Sequence, residues 1–94
     1  MAVLAMMEIP GGTTAQYDRV NEILGIDASD PPPGLISHTA GSTDDGLMIV
    51  DVWESQQAFE EFFGGRNVAG AIEQVGVTPG PARFFSVHNR ITGA

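Results

Sequence analysis

One stretch, Leu47 to Glu54, limits the folds open to this chain more than any other. It reads Leu-Met-Ile-Val-Asp-Val-Trp-Glu, which is typical of a β-strand, and Ser55 directly after it is a good helix N-cap. Alternate side chains of a strand point to opposite faces. One face therefore carries Met48, Val50 and Val52, and the other carries Leu47, Ile49, Asp51 and Trp53. Because both faces are largely apolar, the strand must be covered on both sides.

The remaining segments alternate between strand-like and helix-like patterns. They predict further strands at residues 2–9, 35–41 and 82–89, and helices at 13–24 and 55–75. Thr13 with Gln16 fits a capping box, and the pair Gly64-Gly65 predicts a break in the second helix. A proline run makes 26–34 a spacer loop, and Asp45-Gly46 predicts a hairpin turn within 42–46.

The order strand, helix, strand, strand, helix, strand predicts an α+β fold of the ferredoxin-like βαββαβ type. Its antiparallel four-stranded sheet has both helices on one face, with the first and third strands in the centre. We expect residues 1–94 to form a single domain. The helix-facing side is assigned to Met48, Val50, Val52, Phe85 and Val87, packed against the stripes of Tyr17, Val20 and Leu24 and of Phe59, Phe63 and Ile72. This assignment places Tyr17 in the core, with its hydroxyl at the surface.

The opposite side of the predicted sheet then displays Leu47, Ile49, Trp53 and Phe84 with no segment left to cover them. Soluble monomers rarely expose such a patch. We therefore predict a homodimer that packs sheet against sheet across a two-fold axis and encloses a cavity between the sheets.

Composition narrows the function classes. The net charge of −8 disfavours nucleic acid and anionic membrane surfaces as partners. There is no cysteine, and the two histidines lack neighbouring ligands in sequence, so no metal site and no cofactor are predicted. Residues 1–8 lack the basic start of a signal peptide and are too short to span a membrane, which predicts a cytoplasmic protein.

Polar residues on the uncovered face are the candidates for chemistry. Asp51 lies between Ile49 and Trp53 there, and the last strand alternates Phe84, Ser86 and His88. A carboxylate, an imidazole and an indole in an apolar chamber would orient a small aromatic or polyketide-like molecule. His88 is predicted as the general base, Asp51 as the residue that holds its tautomer, and Trp53 and Phe84 as walls.

Purely structural roles remain open for each of these residues. In these alternatives, Asp51 forms an ion pair with Arg83 or Arg90 at the rim of the sheet, and His88 forms a hydrogen bond near the end of an edge strand. Trp53 packs in the dimer interface. The role of His38 depends on the hairpin: an even number of loop residues puts it on the face of Asp51 and Trp53, and an odd number puts it on the opposite face. We predict an even number of loop residues, with His38 on the face of Asp51 and Trp53.

Several of these segments together resemble a known superfamily. Val50-Asp51-Val52-Trp53-Glu54-Ser55 is followed by Ala58-Phe59-Glu60-Glu61-Phe62, with His38-Thr39-Ala40 upstream and Val87-His88-Asn89 downstream. The chain is similar to the dimeric α+β barrel superfamily, and within it to the small antibiotic biosynthesis monooxygenase-like proteins. The resemblance implies dimerisation, and activities that range over cofactor-free monooxygenases, haem-degrading enzymes, lactone isomerases, dye-type peroxidases and binding proteins. The haem-degrading relatives carry a histidine on the second helix, and residues 55–75 of this chain have none.

Two functions follow as hypotheses. The first is a small-molecule pocket with cofactor-independent monooxygenase or isomerase activity on an aromatic or polyketide-like compound. The second is a non-catalytic homodimer that binds a ligand or has a structural role.

Overall fold

The computed structural model describes residues 1–93 and has the predicted order of elements, with the second helix split in two. The elements are β1 (Val3–Pro10), α1 (Thr14–Leu24), β2 (Leu35–Thr43), β3 (Gly46–Trp53), α2 (Gln56–Gly65), α3 (Val68–Gln74) and β4 (Arg83–Ser86). The sheet order is β2-β3-β1-β4, and every neighbouring pair is antiparallel. The α+β ferredoxin-like fold is confirmed, with β1 and β3 in the centre.

Local sequence signals fix the ends of the first two helices. Thr13 and Gln16 form the predicted capping box, in which each side chain accepts a hydrogen bond from the backbone N–H of the other residue. Gly25 ends α1 in a left-handed conformation with φ of 68°, which glycine adopts without steric penalty. Ser55 caps α2 by accepting a hydrogen bond from the N–H of Ala58.

The break in the second helix lies two residues after the predicted glycine pair. Gly64 and Gly65 remain in α2, and the chain turns at Asn67, which has a positive φ of 52°. Asparagine tolerates this conformation better than most residues do. The Asn67 side chain lies over Gly70, where an added Cβ atom would clash with the side-chain amide. The turn therefore depends on Asn67 and Gly70 together.

The sequence-based assignment of the two sheet faces is wrong. The side chains that pack against the helices are Ala5, Met7, Ile9, Leu47, Ile49, Trp53 and Phe84, with Asp51 buried among them. Their partners include Val20 of α1, Phe59 of α2 and Ile72 of α3. Both faces of β3 are apolar, so alternation alone does not decide between them; the large side chains fill the space under the helices.

The other face of the sheet carries Leu4, Met6, Met48, Val50, Val52 and Phe85, which the register places together. We call this surface the open face. Phe85 is 44% exposed there, and the Arg83 guanidinium lies over its ring at 5.4 Å. Within residues 1–93, no helix is both long and apolar enough to cross a membrane.

β4 is shorter than the predicted strand at 82–89. It pairs only with Val3 to Met6 of β1, and beyond Ser86 a single backbone bond joins Val87 N–H to the Ala2 carbonyl. β4 ends because its partner strand begins at Val3. His88 therefore lies beyond the sheet and is exposed.

Candidate functional site

A cavity of about 370 Å³ lies between the helices and the sheet of one chain. The sequence predicted a cavity on the face of Leu47 and Trp53, between the sheets of two copies. The chain's own helices cover that face, so the cavity there is formed within one chain. The volume falls in the range of small-molecule pockets, about 300–1,000 Å³. The apolar lining includes Met7, Leu47 and Ile49 from the sheet, and Val20, Phe62 and Ile72 from the helices.

Four polar or aromatic side chains in the cavity wall form one continuous chain of hydrogen bonds. The Trp53 indole Nε1 donates to Asp51 Oδ2 at 3.1 Å, and His38 Nδ1 lies 2.6 Å from Asp51 Oδ1. The Tyr17 hydroxyl lies 2.5 Å from His38 Nε2. All four residues line the cavity. We call this the Tyr17–Trp53 chain.

Asp51 is the anchor of the Tyr17–Trp53 chain. The residue is only 6% exposed, and each of its carboxylate oxygens has a hydrogen-bond donor. A buried carboxylate is destabilising unless it is paired in this way. Within residues 1–93, no buried side-chain nitrogen or oxygen lacks a hydrogen-bond partner. The two donors therefore explain why an acid is tolerated in the central strand.

His38 and Tyr17 extend the chain towards solvent. The His38 side chain is 35% exposed, and its ring and that of Tyr17 are nearly parallel, with an angle of 9° between them. An imidazole whose Nδ1 is held by a carboxylate has a fixed tautomer and a free lone pair on Nε2. This arrangement is the one required of a histidine that accepts a proton, and Tyr17 stands at its accepting nitrogen.

The β2–β3 hairpin places His38 opposite Asp51. Its turn has two residues, Asp44 and Asp45, so the predicted even count is confirmed and His38 shares a face with Asp51 and Trp53. A two-residue turn at the predicted Asp45-Gly46 would have put His38 opposite Trp53. The turn lies one residue earlier, so His38 pairs with Asp51. The shared face is the one that the helices cover.

The other predicted site residues lie away from the cavity. Phe84 packs behind its wall, with its ring 5.0 Å from that of Phe59 in an edge-to-face contact. Ser86 and His88 are exposed at and beyond the end of β4. The predicted pairing of His88 with Asp51 does not form, because both Asp51 oxygens are engaged by His38 and Trp53.

Sequence reasoning missed two parts of the site. Tyr17 was assigned to the core, although a tyrosine on an apolar stripe needs a partner for its hydroxyl, and that need was the available signal. The 26–34 loop was interpreted as a spacer, yet Ile26, Asp27 and the buried Pro32 line the cavity. Hydrogen bonds from the side chain and then the backbone N–H of Ser29 hold the pKa of the exposed Asp27 carboxyl below its usual value.

The described residues offer no cluster suited to a metal. In the range 1–93, no three side chains of the histidine, aspartate or glutamate type lie close enough together to hold an ion.

Comparisons with known proteins bear on the fold. No protein-family model matches the chain, and no curated protein matches it in sequence. A single-site variant of SnoaB, a cofactor-independent oxygenase from Streptomyces nogalater, has a TM-score of 0.64 at 16% identity over 98% of both chains. The monooxygenase of the ActVA-Orf6 gene of Streptomyces coelicolor, in complex with nanaomycin D, has a TM-score of 0.63 at 22% identity, over 99% of this chain and 92% of that one.

A third similar structure comes from outside the streptomycetes. A protein of Deinococcus radiodurans, provisionally named an antibiotic biosynthesis monooxygenase, has a TM-score of 0.63 at 13% identity over 100% of this chain and 99% of that one. At such identities the likeness establishes the fold. The chain therefore shares its α+β fold with these antibiotic biosynthesis monooxygenase-like proteins, and for the fold the resemblance stated from the sequence is confirmed.

Proposed function

We propose that the cavity binds a small aromatic, polyketide-like molecule and that the protein is a cofactor-independent monooxygenase. The observation that carries the proposal is the Tyr17–Trp53 chain in the wall of a mostly apolar cavity. It supplies a proton acceptor of fixed orientation beside a space with a mostly apolar lining. Two proteins of the same fold are described as a cofactor-independent oxygenase and as a monooxygenase, which supports the same reaction class.

The proposed reaction oxidises an activated methylene between aromatic rings. Its balance is R₂CH₂ + O₂ → R₂C=O + H₂O, so the substrate supplies all four electrons. The substrate first loses a proton, and the carbanion transfers one electron to O₂. The two radicals combine to a peroxide, which loses its remaining C–H proton and breaks its O–O bond to give the ketone and water.

The protein's part in this reaction is to remove the proton and to hold the anion. The substrate proton passes to the Tyr17 oxygen while the Tyr17 proton moves across the 2.5 Å contact to His38 Nε2. Asp51, at 2.6 Å from Nδ1, then stabilises the imidazolium. Positioned general bases contribute roughly 10²–10⁴-fold to rates.

Oxidation of anthrone, which has such a methylene, tests the proposal. We expect the protein to accelerate oxygen uptake and anthraquinone formation, and His38→Ala to lower kcat by about 100-fold or more. His88→Ala is the matched comparison, because the sequence predicted His88 as the base and the cavity geometry favours His38. Loss of activity in His88→Ala alone would contradict the assignment.

One observation favours binding without turnover as a second function. His38 Nε2 is already engaged by the Tyr17 hydroxyl, so a ligand reaches the base only through that oxygen. A protein that binds anthrone tightly and leaves the rate of oxygen uptake unchanged would have this function.

We also propose that two copies pack their open faces together. The open face is mostly apolar, with Glu8 and Arg83 beside its apolar side chains, and it includes Phe85, which is 44% exposed. Pairing would bury this surface and leave the cavity on the outer, helical side of each copy.

A further inference from the structure

Every polar hydrogen of the Tyr17–Trp53 chain points towards Asp51. An indole N–H can only donate and a carboxylate can only accept, so Trp53 donates to Oδ2 and His38 Nδ1 donates to Oδ1. A neutral imidazole with its hydrogen on Nδ1 has an acceptor at Nε2. When His38 is neutral, the hydroxyl of Tyr17 therefore donates to Nε2, and the network assigns the tautomer with hydrogen on Nδ1.

The outermost atom of the chain consequently presents lone pairs and no hydrogen. We infer that the polar end of the cavity selects uncharged aromatic ligands that donate a hydroxyl, such as phenols and hydroquinones, over ethers and carboxylates. The inference rests on the proposed function and names the substrate class of the same site. A site built to receive a donor discriminates strongly, because an analogue without one leaves a polar atom unpaired.

The charges around the cavity act in the same direction. Among the residues that the structure describes, the cavity lining has two acidic side chains, Asp27 and Asp51, and the imidazole of His38. It includes no arginine. The chain as a whole has a charge of −8. A carboxylate ligand would lose its hydration in an apolar cavity without a guanidinium partner, and it would meet the acidic Asp27 in the loop that borders it.

Trp53 gives a direct readout of binding, since it is the only tryptophan in the sequence and lines the cavity. We would titrate the protein at pH 7 with 1-naphthol, 1-methoxynaphthalene and 1-naphthoate and follow its fluorescence. 1-Naphthol is expected to bind about tenfold or more tightly than the ether, since each tenfold step corresponds to the loss of one good hydrogen bond. 1-Naphthoate is expected to bind most weakly.

Equal affinity for the three compounds, or tightest binding of 1-naphthoate, would overturn the inference and leave the ligand-binding cavity standing. Absence of any fluorescence change would overturn the cavity's proposed function and the inference with it. The unmodified protein therefore decides the question even if no variant folds.

Asp51→Asn provides a sharper test because it reverses the direction of the hydrogen bonds between residue 51, His38 and Tyr17. Trp53 still needs an acceptor, so the oxygen of the new side-chain amide would face Trp53 and the amide nitrogen would donate to His38 Nδ1. His38 Nε2 would then carry the hydrogen and donate to Tyr17, whose own hydroxyl hydrogen would turn to the cavity. We expect this variant to lose the preference for 1-naphthol over 1-methoxynaphthalene, because the oxygens of both compounds can accept a hydrogen bond.

Asp27→Asn is the matched control, since it removes a carboxylate from the cavity lining without touching the chain of hydrogen bonds. It should keep the preference for 1-naphthol over the ether. Circular dichroism would show whether Asp51→Asn is folded. If the folded variant binds both 1-naphthol and 1-methoxynaphthalene more weakly by the same factor, Asp51 has only a structural role and the inference is wrong.

Discussion

At the scale of single residues, the site depends on a buried acid that is fully hydrogen-bonded. Trp53 is 1% exposed and Asp51 is 6% exposed, so neither exchanges its partner for bulk water. Removing one member of such a pair leaves a buried polar atom without a partner, which costs about 1–3 kcal/mol. The indole thus stabilises the position of the carboxylate that orients His38.

Trp53→Phe should lower the free energy of unfolding by about 1–3 kcal/mol, because Asp51 Oδ2 loses its donor. Urea unfolding followed by circular dichroism measures the change. Ile49→Val, on the same strand face, removes only one methylene and should cost about 0.5–1.5 kcal/mol. A loss in Trp53→Phe no larger than that of Ile49→Val would mean that the indole hydrogen bond contributes nothing.

How much of this the sequence predicts differs between residues. Strand alternation put Asp51 and Trp53 on one face, and turn parity put His38 with them. Which face the helices cover was not predictable from alternation, because Met48, Val50 and Val52 are as apolar as Leu47 and Ile49. The partner of Asp51 depended on the β2–β3 register and on where β4 ends, and the latter is set by the start of β1.

At the scale of elements, the 26–34 loop closes one side of the cavity and is held by its last residue, Gly34. The Gly34 carbonyl accepts a hydrogen bond from Glu54 N–H at 2.8 Å, which ties the loop to the end of β3. Gly34 has a φ of +85°, and a Cβ atom there would lie 2.7 Å from the Ala58 Cβ of α2. The positive φ and the close approach to Ala58 each require glycine at this position.

Gly34→Ala should therefore destabilise the protein through backbone strain and through the clash with α2. Gly25→Ala is the matched control, because its φ is +68° and nothing lies within 4 Å of the added atom. The control should show the strain alone, roughly 1–2 kcal/mol, and Gly34→Ala should lose a further ~1–3 kcal/mol from overpacking. Equal melting temperatures for the two variants would show that a side chain at residue 34 does not clash with α2.

At the scale of the whole molecule, the open face and the cavity lie on opposite sides of one sheet. The resemblance stated from the sequence implied a dimer, and the exposed apolar surface gives that expectation a physical basis on the open face rather than on the face of Trp53. Shared strands connect the two sides: Val50 of the open face is flanked by Ile49 and Asp51 of the cavity. Pairing of two copies would therefore hold the strands that carry the site.

Sedimentation at tens of micromolar protein tests the pairing, and we expect a species of twice the chain's mass. Phe85→Asp places a charge on the open face and should give monomers, because the carboxylate, even beside Arg83, would lose its hydration between two largely apolar surfaces. Ile91→Asp is the matched control: Ile91 is 87% exposed and lies after β4, outside the sheet, so the dimer should persist.

With a charge of −8 on each copy, added salt should strengthen the dimer by screening repulsion. A monomeric unmodified protein at these concentrations would contradict the pairing, and it would leave the cavity intact because both its walls come from one chain.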